Sequence, residues 1–349
     1  MEINDLDFYL VEIERTEPGE PIRAVLIRVA SDEGLEGWGE ASIPWQAEEL
    51  SARRNALLPV LAGRSIFDLE ELHTLPSLRQ AALRAGVEMA LLDLVGRACG
   101  QPLCLLLGGS YRRWIPLAVR LSHDSPERLA QLARELADQG FQSQIISASG
   151  RPEHDVQALR AVRESLGGRA ELRFDGMAMY TPETARDLCA ELEYEGLQFF
   201  IDPLHASELY TIASLARQTN VPLAVGRAIQ GPADVLAAIR CGAAPCVVVD
   251  LSRVGGIIPA RKCAAVAEAG RIEVVLGGSP SLGIATAAAA GLVAATPVLA
   301  SCNESAYHQL RDDVLAEPLE LVDGMIALPQ GPGLGVEVDR AKVERYQVT

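Results

Sequence analysis

The stretch "SPERLAQLARELADQGFQSQIIS", residues 125–147, holds one complete unit of the pattern that decides the fold. Ser125-Pro126-Glu127 is a helix start: a hydroxyl to accept the first amides, a proline whose missing N–H costs nothing there, and an acid at the positive end of the helix dipole. An amphipathic run follows, Gly140 stops it, and the apolar "FQSQIIS" is short enough to be a strand. Working outward, strand candidates recur at "IPLAVRL" (115), "AELRFD" (170), "LQFFI" (197), "VPLAVG" (221), "CVVVD" (246), "IEVVLG" (272) and "VLASC" (298), spaced 24 to 29 residues apart. "TPETARDLCAELEYEG" repeats the start and stop signals between two of them.

Eight such units at one period predict a closed parallel barrel with the crossover helices outside. The last unit is irregular, since "CNESAYHQLRDDVLAEPLELVDGMIALPQGPGLGVEVD" reads as loop and hairpin leaving the barrel. The amino-terminal part differs in texture. "EINDLDFYLVEIER", "IRAVLIRVASDEG" and "LEGWGEAS" alternate with period two, as an antiparallel meander does, and helices are expected near 47–62 and 78–99. The fold class is therefore α/β: a modified (β/α)8 TIM-like barrel with an α+β N-terminal capping domain. Expected bounds are 1–113 for the cap, 114–305 for the barrel and 306–349 for a tail that returns to the cap. Barrel sites form at the carboxyl ends of the strands, so the cap is expected as a lid over that mouth.

The composition narrows the function. With 349 residues, 49% hydrophobic, the chain can bury a large core, and its net charge of −16 excludes nucleic acid and anionic membrane surfaces as main partners. "MEINDLDFYL" lacks the basic and apolar regions of a signal peptide, and "GIATAAAAGLVAATPVLA" contains Pro297 and reads as a packed helix running into a strand. A cytoplasmic, homo-oligomeric protein is expected. Seven cysteines without a Cys-x-x-Cys pair argue against zinc or a disulfide framework. Of 31 basic residues only Lys262 and Lys342 are lysines.

Five phrases, "SDEGLEGWGEAS", "AGVEMALLDLVGRACGQPLCLLLGG", "LRFDGMAMYTPETA", "DLSRVGGI" and "LPQGPGLGVEVD", run in order over nearly the whole chain. Together the chain resembles the mandelate racemase and muconate-lactonizing branch of the enolase superfamily. The resemblance implies Mg²⁺ held by three carboxylates at the ends of barrel strands three, four and five, where it stabilises an enediolate formed when a base takes the proton beside a carboxylate.

Position by position, the chain departs from that pattern. Asp175 matches the first ligand, but Met177 stands where asparagine is customary. Strand four puts Ile201 at the ligand position and Asp202 one residue later, which strand alternation points to the other face. Strand five offers Gly226-Arg227, a guanidinium that cannot bind Mg²⁺. The strand-two lysines are replaced by Ile145-Ile146-Ser147; of the racemase-type pair, Asp250 is present and Gly277 replaces the histidine. Glu304 in "SCNES" falls near a carboxylic acid that some racemases use to hydrogen-bond the substrate.

The candidate catalytic residues are thus Asp175, Arg227, Asp250 and His123, with Arg120, Arg173, Asp202 and Glu304 as ligand contacts. Neither metal nor other cofactor is expected, and the expected partner is a small carboxylate. Arg227 and Asp175 should pair without ligand, since either charge alone in a barrel mouth would be costly. Trp38 is read as cap core, and Glu40 with "SIPWQ" as a face that meets the ligand from above; His205 is a further residue that could face the mouth. Three readings stay open: a metal-independent isomerase or lyase using Arg227, a pseudoenzyme that binds small molecules, and a conventional Mg²⁺-dependent racemase, dehydratase or cycloisomerase.

Overall fold

A computed structural model describes residues 1–17, 19–122, 125–278 and 280–348. Strands β1 (Ile3–Ile13), β2 (Ile22–Ser31) and β3 (Glu36–Ala41) form the expected antiparallel meander. Helices α1 (Ala47–Leu61), α2 (Leu69–Leu72), α3 (Ala81–Cys99) and α4 (Leu103–Leu106) follow. The "GWG" of β3 is explained by α3 lying directly on the sheet: a Cβ at Gly37 would come within 2.1 Å of the Ala90 carbonyl oxygen, and one at Gly39 within 2.0 Å of that of Gly86. Trp38 between them is buried in the core, and its amide donates to Asp93 Oδ2 at 2.9 Å.

The barrel runs β4 (Trp114–Leu121), α5 (Pro126–Asp138), β5 (Ser143–Ser147), α6 (Pro152–Leu166), β6 (Glu171–Asp175), α7 (Pro182–Leu192) and β7 (Phe199–Ile201). It continues through α8 (Leu209–Ala216), β8 (Leu223–Val225), α9 (Pro232–Cys241), β9 (Cys246–Val249), α10 (Leu251–Val254), α11 (Ile257–Gly270), β10 (Glu273–Leu276), α12 (Gly283–Ala295) and β11 (Asn303–Glu304). Strands β4 to β10 pair in parallel, in chain order. The capping chemistry works as read: Ser125 accepts the Arg128 amide at 3.2 Å and Thr181 the Thr184 amide at 3.3 Å. Helix α5 buries Leu129, Ala133 and Leu136 against the strands, each leucine contributing roughly 2 kcal/mol.

Strand eight is displaced from its expected place. "VLASC" forms a turn, with the Leu299 amide donating to the Thr296 carbonyl, and the strand is the polar pair Asn303–Glu304. These two residues pair in parallel with Leu117 and Ala118 of β4, and Asn303 Oδ1 accepts the Leu276 amide at 2.7 Å, so one side chain joins β11 to β10. A hydrophobicity pattern could not place a strand whose two side chains are both required for polar work inside the barrel.

The tail forms the hairpin β12 (Leu321–Val322) and β13 (Met325–Ala327), which pairs antiparallel with the start of β4. Helix α13 (Arg340–Tyr346) then returns to the cap, where the Val348 amide donates to the Leu10 carbonyl at 2.8 Å.

Cap and barrel are joined through buried carboxylates. Glu88 of α3 accepts the amides of Ile257 and Ile258 at the start of α11 and meets His73 Nε2 at 2.9 Å. Glu40 of β3 accepts the Leu282 amide at 2.7 Å and the Ala285 amide at 2.9 Å, at the start of α12. Burial pushes the Glu40 carboxyl up to about 7. Glu40 is therefore a buried helix cap, and it does not line the cavities at the barrel mouth. Among the described residues, no helix is long and apolar enough to cross a membrane.

Candidate active site at the barrel mouth

Arg227 is the centre of the mouth. Its Nη1 donates to Asp175 Oδ1 and Asp202 Oδ2, each at 2.9 Å, and its Nη2 reaches Met177 Sδ at 2.9 Å. The ion pair expected between Arg227 and Asp175 is present. The guanidinium thus touches the side chains of strands three and four that flank the position where the resemblance puts a metal ion.

Asp202 corrects the strand-alternation reading. Its φ of +42° lies in the left-handed region, which aspartate tolerates better than most residues, and the bend turns the carboxylate into the mouth. There Oδ1 accepts the Gly226 amide at 2.8 Å and Oδ2 the Arg227 amide at 2.9 Å. Burial raises the Asp202 carboxyl above its ordinary value, even against these two amides and the Arg227 charge. The next residue, Pro203, disfavours the α-helical conformation at Asp202.

Arg120, ending β4, bridges three groups. Nε donates to Glu304 Oε1 at 2.8 Å, and Nη1 donates to Ser147 Oγ at 2.6 Å and to Asp175 Oδ2 at 3.0 Å. Burial alone would lower the pKa of both arginines; the carboxylates outweigh it and raise them. Asp250 accepts the Ser252 amide at 2.9 Å, opening α10, and pairs with Arg253 Nη2 at 3.3 Å. Its carboxyl is raised by burial, against the pull of Arg253.

Between these groups lie two adjoining cavities. One of about 290 Å³ is lined by Asp175, Asp202, Arg227 and Arg253. The other, of about 180 Å³, is lined by Asp250, Leu251, Leu276, Ala285 and Ala289, with Arg15 entering from the cap. Arg120, Gly278, Pro280 and Glu304 line both. Gly277 leaves no room for the absent histidine: a Cβ there would come within 2.4 Å of Val248 Cγ1.

The mouth therefore unites Asp175, Arg227, Asp250, Arg120, Asp202 and Glu304. Arg173 does not join them. It shares a face with Asp175, but its side chain runs to the opposite end of the barrel, where Nε donates to Gln198 Oε1 at 2.7 Å and Nη2 to the Cys302 carbonyl at 2.9 Å. His123 lies outside the described residues. His205 caps a single turn by accepting the Ser207 amide and is absent from the lining of the mouth. Sequence reasoning missed Arg253, although it sits inside the quoted "DLSRVGGI", and Arg15, for which the sequence carries no signal because a cap strand brings it there.

A cap closed over charged groups at the carboxyl ends of parallel barrel strands defines a scaffold of the enolase superfamily. Residues 19–108 match the mandelate racemase / muconate lactonizing enzyme N-terminal domain, and residues 128–342 match the enolase C-terminal domain-like family. The chain belongs to the mandelate racemase and muconate lactonizing enzyme branch of that superfamily. It is 30% identical over 330 residues to an L-Lys-D/L-Arg epimerase of Methylococcus capsulatus, covering 91% of this chain and 92% of the relative. It is 27% identical over 338 residues to muconate cycloisomerase 1 of Rhodococcus opacus, covering 92% and 90%. The crystal structure of an isomerase from Streptomyces coelicolor superposes with a TM-score of 0.89 at 30% identity, covering 99% of this chain and 96% of that one.

Proposed function

We propose that the mouth binds a small carboxylate without Mg²⁺, with Arg227 in the cation's place, and that Asp250 exchanges the proton beside that carboxylate, an isomerase or lyase chemistry. The observation that carries this reading is the position of Arg227 Nη1, 2.9 Å from both Asp175 and Asp202. A fixed positive charge already lies between the two carboxylates that would have to share a metal, and it would repel one. Met177 offers a thioether where a hard cation needs oxygen. Among the described residues, no group of three or more His, Cys, Asp or Glu side chains is arranged to hold a metal ion. The named relatives, an L-Lys-D/L-Arg epimerase and a muconate cycloisomerase, carry carboxylate compounds in their names.

In the proposed step the α-proton moves to the Asp250 carboxylate, the C–H electron pair passes into the ligand carboxylate, and Arg227 and Arg253 offset the enediolate charge. Return of the proton to the same face of that carbon gives exchange alone; its delivery by Asp250 to a second carbon of a conjugated ligand would complete an isomerisation. The raised pKa of Asp250, caused by burial, suits a base.

One observation favours a second reading, a binder without chemistry: both Asp250 oxygens are already engaged, by Ser252 and by Arg253. Exchange of substrate α-protons in deuterated water, followed by NMR across acid sugars, amino acids and dipeptides, separates the two. The enzyme reading expects exchange with at least one compound and a loss of about a hundredfold or more in Asp250→Asn. Binding by calorimetry with no exchange for any compound leaves the binder. Calorimetric binding of Mg²⁺ to the wild type would sink the metal-free reading, whereas Arg227→Glu should acquire Mg²⁺ binding.

A further inference from the structure

The opposite end of the barrel carries a second group of polar residues that the mouth does not use. A cleft of about 420 Å³ opens there, lined by residues that begin β4, β5 and β6 or precede β5, β6, β7 and β11. Arg173 stands at its depth, 1% exposed, with its guanidinium 5.7 Å from the centroid of the Phe199 ring. Its bonds go to an amide oxygen and a backbone carbonyl, both neutral. Among the described residues, no carboxylate lies within salt-bridge range of it.

An arginine stays protonated in proteins, and a buried cation without a counter-ion is costly. Burial pulls the Arg173 pKa below its ordinary value, and the attraction of more distant carboxylates, Glu273 and Glu304, does not restore it. The two hydrogen bonds of Arg173 leave from Nε and Nη2. The Ser143 hydroxyl, also lining the cleft, is buried without one. Arg169 lies at the rim, exposed, paired with Asp138 at 2.6 Å and donating to the Leu166 and Ser165 carbonyls at 3.2 and 3.4 Å. Glu171, the one carboxylate in the lining, is exposed.

We infer that this cleft is a binding site for a small oxyanion, a phosphate or carboxylate group seated on Arg173 and Ser143 with Arg169 at the entrance. A charge-assisted pair would give Arg173 a counter-ion, and a hydrogen bond would give the buried Ser143 hydroxyl its partner. The site lies at the far end of β6 from Asp175 and shares no lining residue with the mouth.

The test is calorimetric titration of the full-length protein with inorganic phosphate, repeated with sodium acetate to separate the two ligand groups. With the mouth's own carboxylate site disabled by Arg227→Met, saturable binding of at least one anion is expected, weakened about tenfold on adding Ser143→Ala or Arg169→Gln and lost on adding Arg173→Met. Phosphate alone, or acetate alone, fixes the group recognised. If Arg173→Met does not fold, the Ser143 and Arg169 variants carry the test. Absence of saturable binding by either anion overturns the inference. So does binding that Arg227→Met abolishes while Ser143→Ala and Arg169→Gln leave it unchanged, because the anion would then sit in the mouth.

Discussion

Buried carboxylates do opposite jobs at two places in this molecule. At the seam between cap and barrel, Glu40 and Glu88 accept backbone amides at the starts of α12 and α11. In the mouth, Asp175 and the partly buried Glu304 face guanidinium groups on flexible stems, and Asp202 faces both amides and a guanidinium. Amides fixed in a helix cannot follow a lost partner, whereas arginine side chains more than a quarter exposed, such as Arg120 and Arg227, can turn to water. The seam should therefore determine stability and the mouth should determine binding.

The largest expected effect is at Glu88. Glu88→Ala strands two buried amides and should lower unfolding free energy by about 3 kcal/mol in urea titration, leaving ligand affinity in the mouth intact. Next comes pH. Because burial holds the Glu40 carboxyl at about 7 against an ordinary 4.5, the folded protein keeps a proton that the unfolded chain has lost. This contribution, about 3 kcal/mol in all, is complete below about pH 4.5 and disappears as pH rises through about 7. Glu40→Gln should flatten the stability profile across that window; an unchanged profile would show that Glu40 does not titrate there.

A smaller stability effect is expected in the mouth. Asp175→Asn should cost only about 1 kcal/mol, because Arg120 and Arg227 can rehydrate, and should tighten carboxylate binding severalfold by releasing both guanidinium groups. A loss of several kcal/mol there would erase the contrast between the regions. The smallest effect belongs to the exposed bridge Lys262–Glu70, which also spans cap and barrel: Lys262→Met should change stability by less than about 0.5 kcal/mol.

The fold was largely readable because each barrel unit states its own start, face and stop, as residues 125–147 do. Arg227 and Asp175 were readable for a related reason: each sits at a strand end whose position the repeat fixes. Asp202 was not, since period-two alternation assumes an extended backbone and its φ of +42° breaks that assumption. Arg173 was placed on the right face but at the wrong end, because a long side chain can run several ångströms along the barrel axis. Glu40 and Glu88 were out of reach for another reason. Their partners lie 242 and 169 residues away along the chain, and no local pattern encodes a helix start that another domain completes.

The crowding at Gly277 has a consequence for the order in which mutations can accumulate. Any side chain at that position must first displace Val248, whose Cγ1 lies 2.4 Å from where a Cβ would be. A histidine introduced there alone meets a collision before it can do chemistry, while a smaller residue at 248 opens the space beforehand. A second base at position 277 thus calls for space to be opened first at a neighbouring strand, and a combinatorial library that varies position 277 without position 248 is expected to miss it.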